Sequence, residues 1–204
     1  AYHYSKGNRI ICSVSLIKGF ESSSLKNINN LDTKDVTSMS STFSTFPIDR
    51  SSQKGFNEDI NGWNVSKVTS MDGMLQNASV FDKGLNSWNV ANVTDMSSMF
   101  NSAKKFSGAI SNWNTSKVED MSNMFFDANS FNQPIPTSGA KWNVIKVTNM
   151  VFMFYNATKF NQPLDTWNIY NVTDMSYMFM NAKAFNGDIS MWRDAVNPSS
   201  GVMR

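Results

Sequence analysis

The sequence predicts an α/β repeat solenoid in which each 25-residue unit supplies a short parallel strand and a short helix, stacked in six to seven rungs. Three observations lead there. Phenylalanines open successive units at Phe56, Phe81, Phe106, Phe131, Phe160 and Phe185, at spacings of 25, 25, 25, 29 and 25 residues. Trp63, Trp88, Trp113, Trp142, Trp167 and Trp192 keep the same register and are all the tryptophans of the chain. Within a unit the apolar spacing also changes, from alternation to a helical interval. One strand and one helix cannot bury their own apolar faces, so copies must stack to make a core.

The unit Phe81 to Lys105 reads FDKGLNSWNVANVTDMSSMFNSAKK. Trp88 and Val90 flank Asn89, which suggests a short strand with Trp and Val inward. Met96, Met99, Phe100, Ala103 and Phe106 fall at i, i+3, i+4, i+7 and i+10, the face of a helix. Thr94 or Asp95 stands where an N-cap would accept an orphan amide. The small Ala78, Ala103, Ala128, Ala157 and Ala182 would let that helix lie close to the strand layer. Parallel strands about 4.8 Å apart would give a sheet on the order of 30 Å long.

The chain divides into three parts. Residues 1–23 lack the repeat, and the alternation of Ile10, Cys12, Val14 and Leu16 predicts a strand that caps the open end. Residues 24–192 form the repeat region. It begins with a degenerate unit in which Ile28, Leu31, Val36, Met39 and Phe43 hold the inward columns. Insertions follow at 47–55 and 136–141, and residues 193–204 read as a tail, since Arg193 replaces the Asn after the last Trp.

Composition removes several function classes. A net charge of +2 gives no case for nucleic acid, and no apolar run is long enough for a direct membrane span. The single Cys12 excludes an intrachain disulfide framework and a cysteine zinc site. His3 is the only histidine, and no glycine-rich phosphate loop occurs. The expectation is therefore of a protein that is not an enzyme and needs no cofactor. With no initiator Met and no signal-like start, the chain reads as a processed or excised piece.

Units such as FSGAISNWNTSKVEDMSNMF (106–125) and FNQPLDTWNIYNVTDMSYMF (160–179) resemble the BspA-like bacterial surface-protein repeat, a leucine-rich-repeat variant also found in protist surface proteins. The resemblance covers residues 24–192 and rests on F-N, W-N-V, V-T-x-M and M-F at fixed offsets. It departs at Leu31, Thr42, Leu75, Thr115, Glu119 and Arg193. It implies a leucine-rich-repeat-like solenoid displayed at the cell surface or outside the cell, with no catalytic motif.

The loud columns have quiet readings. The methionine columns beside Phe and Trp suit core filling better than copper ligation, and the Trp column suits burial better than a stacking platform. Asn64, Asn89, Asn114, Asn143 and Asn168 are expected to form a structural ladder between rungs. Sequons place possible glycosylation at Asn92, Asn171, Asn77 and Asn156. Asp95, Asp120 and Asp174 stand one per unit, a weak calcium pattern, and Glu119 interrupts the Thr column that an ice-binding surface would need. Tyr155, Tyr170 and Tyr177 are candidate contact residues because they lie outside the repeating columns. The reading is a surface or extracellular binding or adhesion module for a protein or glycan partner. The alternative is a structural subunit packed in a larger assembly or filament.

Overall fold

The computed structural model describes the backbone of residues 3–5, 9–11 and 14–15, and residues 31–44, 55–136 and 141–192 with their side chains. Four short strands are present: β1 (His3–Ser5), β2 (Arg9–Ile11), β3 (Val14–Ser15) and β4 (Val36–Ser38). β1 and β2 pair antiparallel, and β3 pairs parallel with β4. Of the strand expected around Ile10 to Leu16, residues 10–11 lie in β2 and 14–15 in β3. Cys12, the insertion residues 47–54 and 137–140, and the tail 193–204 lie outside the described residues.

The expected α/β repeat solenoid, with its leucine-rich-repeat geometry, is not what the chain forms. No helix runs through any described unit, β4 is the one strand within the repeats, and no sheet spans them. Neighbouring units instead meet in isolated parallel bridges, Ser38 to Ser70, Ser70 to Asp95, Asp95 to Asp120, Asp120 to Asn149 and Asn149 to Asp174. Trp88, expected in a strand, closes a turn on the Leu85 carbonyl (3.1 Å).

Consecutive turns replace the helix. Met74 N donates to Met71 O, Gln76 N to Gly73 O and Ala78 N to Leu75 O, all bonds of three-residue span. The alternate amides leave the unit: Met71, Gly73, Leu75 and Asn77 donate to Asp95, Ser97, Met99 and Asn101 of the next. Gly73 and Asn77 have positive φ (56° and 63°), as the third residue of a type II turn requires. The same two places carry positive φ at Ser98 and Ser102, Asn123 and Asp127, Phe152 and Asn156, and Tyr177 and Asn181. A left-handed residue every fourth position excludes a right-handed helix. Turns of period four also bring i, i+3, i+4 and i+7 to one side, so Met71, Met74, Leu75 and Ala78 are all buried.

The core is built of aromatic columns. Phe56, Phe81, Phe106, Phe131, Phe160 and Phe185 stack at 5.6–5.9 Å. Phe100, Phe125, Phe154 and Phe179 form a second column at 5.5–5.7 Å. The tryptophans form a third, and their indole N–H groups are satisfied across units. Trp88 Nε1 donates to Ile60 O, Trp113 Nε1 to Leu85 O, Trp142 Nε1 to Ile110 O and Trp192 Nε1 to Leu164 O, at 2.8–3.0 Å. Each of these carbonyls also closes the turn on its own unit's Trp amide. Buried Thr115 at a Val position satisfies its hydroxyl on Asn143 O (3.0 Å).

Candidate functional site: an aromatic face on the outer turns

Two columns of the consecutive turns point away from the core. The first holds Ser41, Gly73, Ser98, Asn123, Phe152 and Tyr177, the second Ser44, Gln76, Asn101, Phe126, Tyr155 and Met180. Across the early units both are polar or small, and across the later ones both become aromatic or apolar. Phe126 stacks on Tyr155 (4.6 Å, 7°) and Phe152 on Tyr177 (5.1 Å, 9°). The two pairs meet edge-on, Phe126 to Phe152 at 6.2 Å and Phe152 to Tyr155 at 5.5 Å. Phe126, Phe152 and Tyr155 are half-buried, while Tyr177 is 61% and Met180 49% exposed.

A polar cluster borders this face. Asp127 accepts from Asn156 Nδ2 (2.6 Å) and Asn129 Nδ2 (3.1 Å), and its other oxygen lies 3.7 Å from Lys104 Nζ. Asn129 Nδ2 also donates to Asn156 O. Bulky Phe152 and Tyr177 hold φ of 56° and 59°, a region that disfavours such residues and that Gly or Asn occupies at little cost.

Among the early units the turns are acidic. Ser97 Oγ donates to Asp95 (2.6 Å) and lies 3.2 Å from Asp72. Burial pushes the Asp72 carboxyl above its ordinary range; the Ser97 hydroxyl opposes this, and Asp95 and Asp120 add repulsion. The folded state therefore disfavours ionised Asp72. That penalty is absent below the unfolded-state pKa and complete above the folded one, so it grows as pH rises. Asp72→Asn is expected to raise the urea midpoint at neutral pH, with the gain vanishing near about pH 3; urea titrations at both pH values check this. Asp174 has the opposite sign, because the Ser176 hydroxyl and amide lower its pKa.

The other candidate residues fall elsewhere. Tyr155 and Tyr177 join the aromatic face, but exposed Tyr170 stands on a different turn beside Asn168, whose Oδ1 accepts its amide. Phe126, Phe152 and Met180 were not singled out from the sequence, although the polar residues of their own columns in earlier units mark them. In the Asn64, Asn89, Asn114, Asn143 and Asn168 column, each Oδ1 accepts the amide two residues on, within its own unit. Bonds between units come from other Asn: Asn57, Asn132 and Asn161 accept the amides of Asp82, Asn161 and Asn186, and Asn61 and Asn86 those of Ser87 and Asn112. Among the sequon residues, Asn92 Nδ2 donates to Ser66 O, Asn171 Nδ2 to Ile145 O and Asn156 Nδ2 to Asp127. Asn77 is exposed and its side chain has no hydrogen-bond partner among the described residues.

Among the described residues, no group of three His, Cys, Asp or Glu side chains could hold a metal ion. No helix there is long and apolar enough to cross a membrane. One family matches the chain, described as Mycoplasma protein of unknown function, DUF285, over residues 14–138 and again over 108–200. The chain belongs to this family. The two matched spans overlap at 108–138, as a repeating register allows. Comparison with curated proteins and with solved structures returned no match.

Proposed function

We propose that this DUF285 chain is a non-catalytic binding module, displayed at the cell surface or outside the cell, that engages a protein partner through the aromatic face of its later units. One observation carries the reading. The column that holds Gly73, Ser98 and Asn123 carries Phe152 and Tyr177 in the same left-handed conformation. A bulky residue there costs about 1–2 kcal/mol, and strain of this kind gathers at functional sites. The ring geometry favours protein over glycan. Sugar stacking needs free ring faces, whereas here each of the four rings has one face against another ring. Exposed aromatic and methionine side chains suit the centre of a protein interface. Surface display rests on the resemblance to BspA-like repeats. A structural subunit of a larger assembly is the second reading, favoured by the exposed apolar side chains of Ile189 and Met191.

The double variant F152N/Y177N tests the first reading. Its unfolding free energy is expected to stay within about 1 kcal/mol of the parent, since strain relief offsets lost stacking. Binding to extracts of the source cells should lose one specific protein species that the parent and the control Q76A both retain. Undiminished retention by F152N/Y177N, or release of the bound species by free sugars alone, would overturn the proposal.

A further inference from the structure

We infer that the protein partner of the aromatic face is a second copy of the same chain, the two copies pairing face to face about a two-fold axis parallel to their stacks of units. This rests on the reading of that face as a protein interface and names what covers it. The face runs along the side of the stack. Phe126, Phe152 and Tyr155 each have a unit on either side and are still only half-buried.

Charge is sorted on either side of the face. Along one unit the outward positions come in the order Asp95, Ser98, Asn101, Lys104. The two face columns, those of Ser98 and Asn101, therefore lie between a border of carboxylates and a border of ammonium groups. The first border carries Asp95, Glu119, Asp120 and Asp174 and no lysine. It adjoins the face directly: Asp95 accepts from Ser97 Oγ (2.6 Å), next to Ser98, and Asp174 accepts the amide of Ser176 (2.9 Å), next to Tyr177. The second border carries Lys104, Lys105, Lys159 and Lys183 and no carboxylate. It adjoins the other column, since Lys104 Nζ lies 3.7 Å from Asp127, the residue after Phe126. Asp95, Glu119, Asp120 and Asp174 form no ion pair among the described residues, and neither do Lys105, Lys159 and Lys183. Lys117 and Lys146 lie one turn further round, beyond the acidic border.

This order selects one partner. A complementary surface must set an apolar centre between the same two borders in reverse. A copy of the chain turned about an axis parallel to its stack has that surface. Its acidic border then meets the lysines, its lysines meet the acidic border, and each unit stays level with its counterpart. Asp174 comes level with Lys183 of the partner subunit, and Asp95 with Lys105 of the partner subunit, because each pair shares a unit. A two-fold axis across the stack would instead set carboxylate against carboxylate and lysine against lysine, which like-charge repulsion disfavours. Aromatic and methionine side chains at the centre with charges at the rim match the usual layout of a protein interface. Both stacks then run in the same direction, so the copies lie side by side with like ends together.

Sedimentation equilibrium of the full chain tests this. The parent is expected to dimerise reversibly, with a dissociation constant about tenfold or more higher in high salt than in low salt, because salt screens the borders. F152N/Y177N should be monomeric. E119K/D174K makes both borders basic and K105E/K183E makes both acidic, and all four side chains are exposed. Each of these two variants alone should associate at least about tenfold more weakly than the parent, and an equimolar mixture of them should recover the parent's affinity as a heterodimer. A parent that stays monomeric at its highest soluble concentration overturns the inference. So does a dimer that F152N/Y177N or the single charge variants leave intact, or a mixture no more associated than its parts. Retention of a protein species other than this chain by the parent but not by F152N/Y177N leaves the interface reading standing and overturns the second copy as its partner.

Discussion

Trp113→Ala is expected to lower the unfolding free energy by about 4 kcal/mol, a large part of what a domain of this size has to lose. Trp113 is fully buried and stacks between Trp88 (6.3 Å, 3°) and Trp142 (6.1 Å, 12°). Its indole N–H donates 2.8 Å to Leu85 O, and its backbone carbonyl accepts Trp142 N (2.9 Å). Alanine would leave a cavity where three units meet, walled by rings that cannot collapse without leaving their own stacks. Trp113→Phe separates the contributions. It keeps a ring but removes the indole donor, while Leu85 O retains the Trp88 amide. A carbonyl with one remaining bond loses about 1 kcal/mol, so with the smaller ring the total cost is about 2 kcal/mol. Chemical denaturation of both variants checks the order. A Trp113→Phe cost equal to that of Trp113→Ala would place the effect in the hydrogen bond rather than in packing.

That tryptophan shows which parts of this architecture its sequence makes readable. The period of 25 residues, the register of the Phe and Trp columns and the inward identity of Met, Phe, Val and Ala depend only on apolar groups needing cover. Any stacked arrangement satisfies them, so they survive even though the local conformation does not. The helix was misread because Met71, Met74, Leu75 and Ala78 are inward under either a helix or a succession of four-residue turns. The discriminating signal lay in the residues between. Gly73 and Asn77, like Asn123 and Asp127, are types that accept positive φ at low cost. Their recurrence four residues apart is a turn signature.

Polar columns misled in a different way. An Asn repeated at one position reads equally as a ladder between units or as a set of local turns, because both satisfy the amide. The geometry here chose the turn at Asn64 and Asn89, where Oδ1 accepts an amide two residues on. Bonds between units go to other Asn, among them Asn57 and Asn132 after the opening Phe and Asn61 and Asn86 two residues before Trp. The aromatic face was half legible. Tyr155 and Tyr177 stood out by residue type, but Phe126 and Phe152 did not, since phenylalanine also fills the core columns. Only their offset from those columns, seen against Gln76 and Gly73, places them outside.

Gly108→Ala is the second large expected effect, about 3 kcal/mol or more of destabilisation. The cause is not backbone conformation, since among the described glycines only Gly73 has positive φ. A Cβ at Gly108 would overlap the Lys83 carbonyl, standing 2.6 Å from its carbon and 2.9 Å from Gly84 N. Both are backbone atoms and cannot swing away as a side chain would. They are held there because Leu85 N donates 2.9 Å to Ala109 O, one residue along on each side. Moving them apart would break that bond and open the Phe81–Phe106 stack (5.9 Å). Two neighbouring glycines serve as controls. A Cβ at Gly84 would meet Ala109 N at 3.4 Å, a contact that a small shift relieves, and Gly62 has nothing within 4 Å. Gly62→Ala should therefore stabilise by about 0.5 kcal/mol, through lost freedom of the unfolded chain. Gly84→Ala should fall between the two. Thermal denaturation of the three variants orders them, and a Gly108→Ala midpoint within a degree of Gly62→Ala would show that the units can slide apart at that contact without loss.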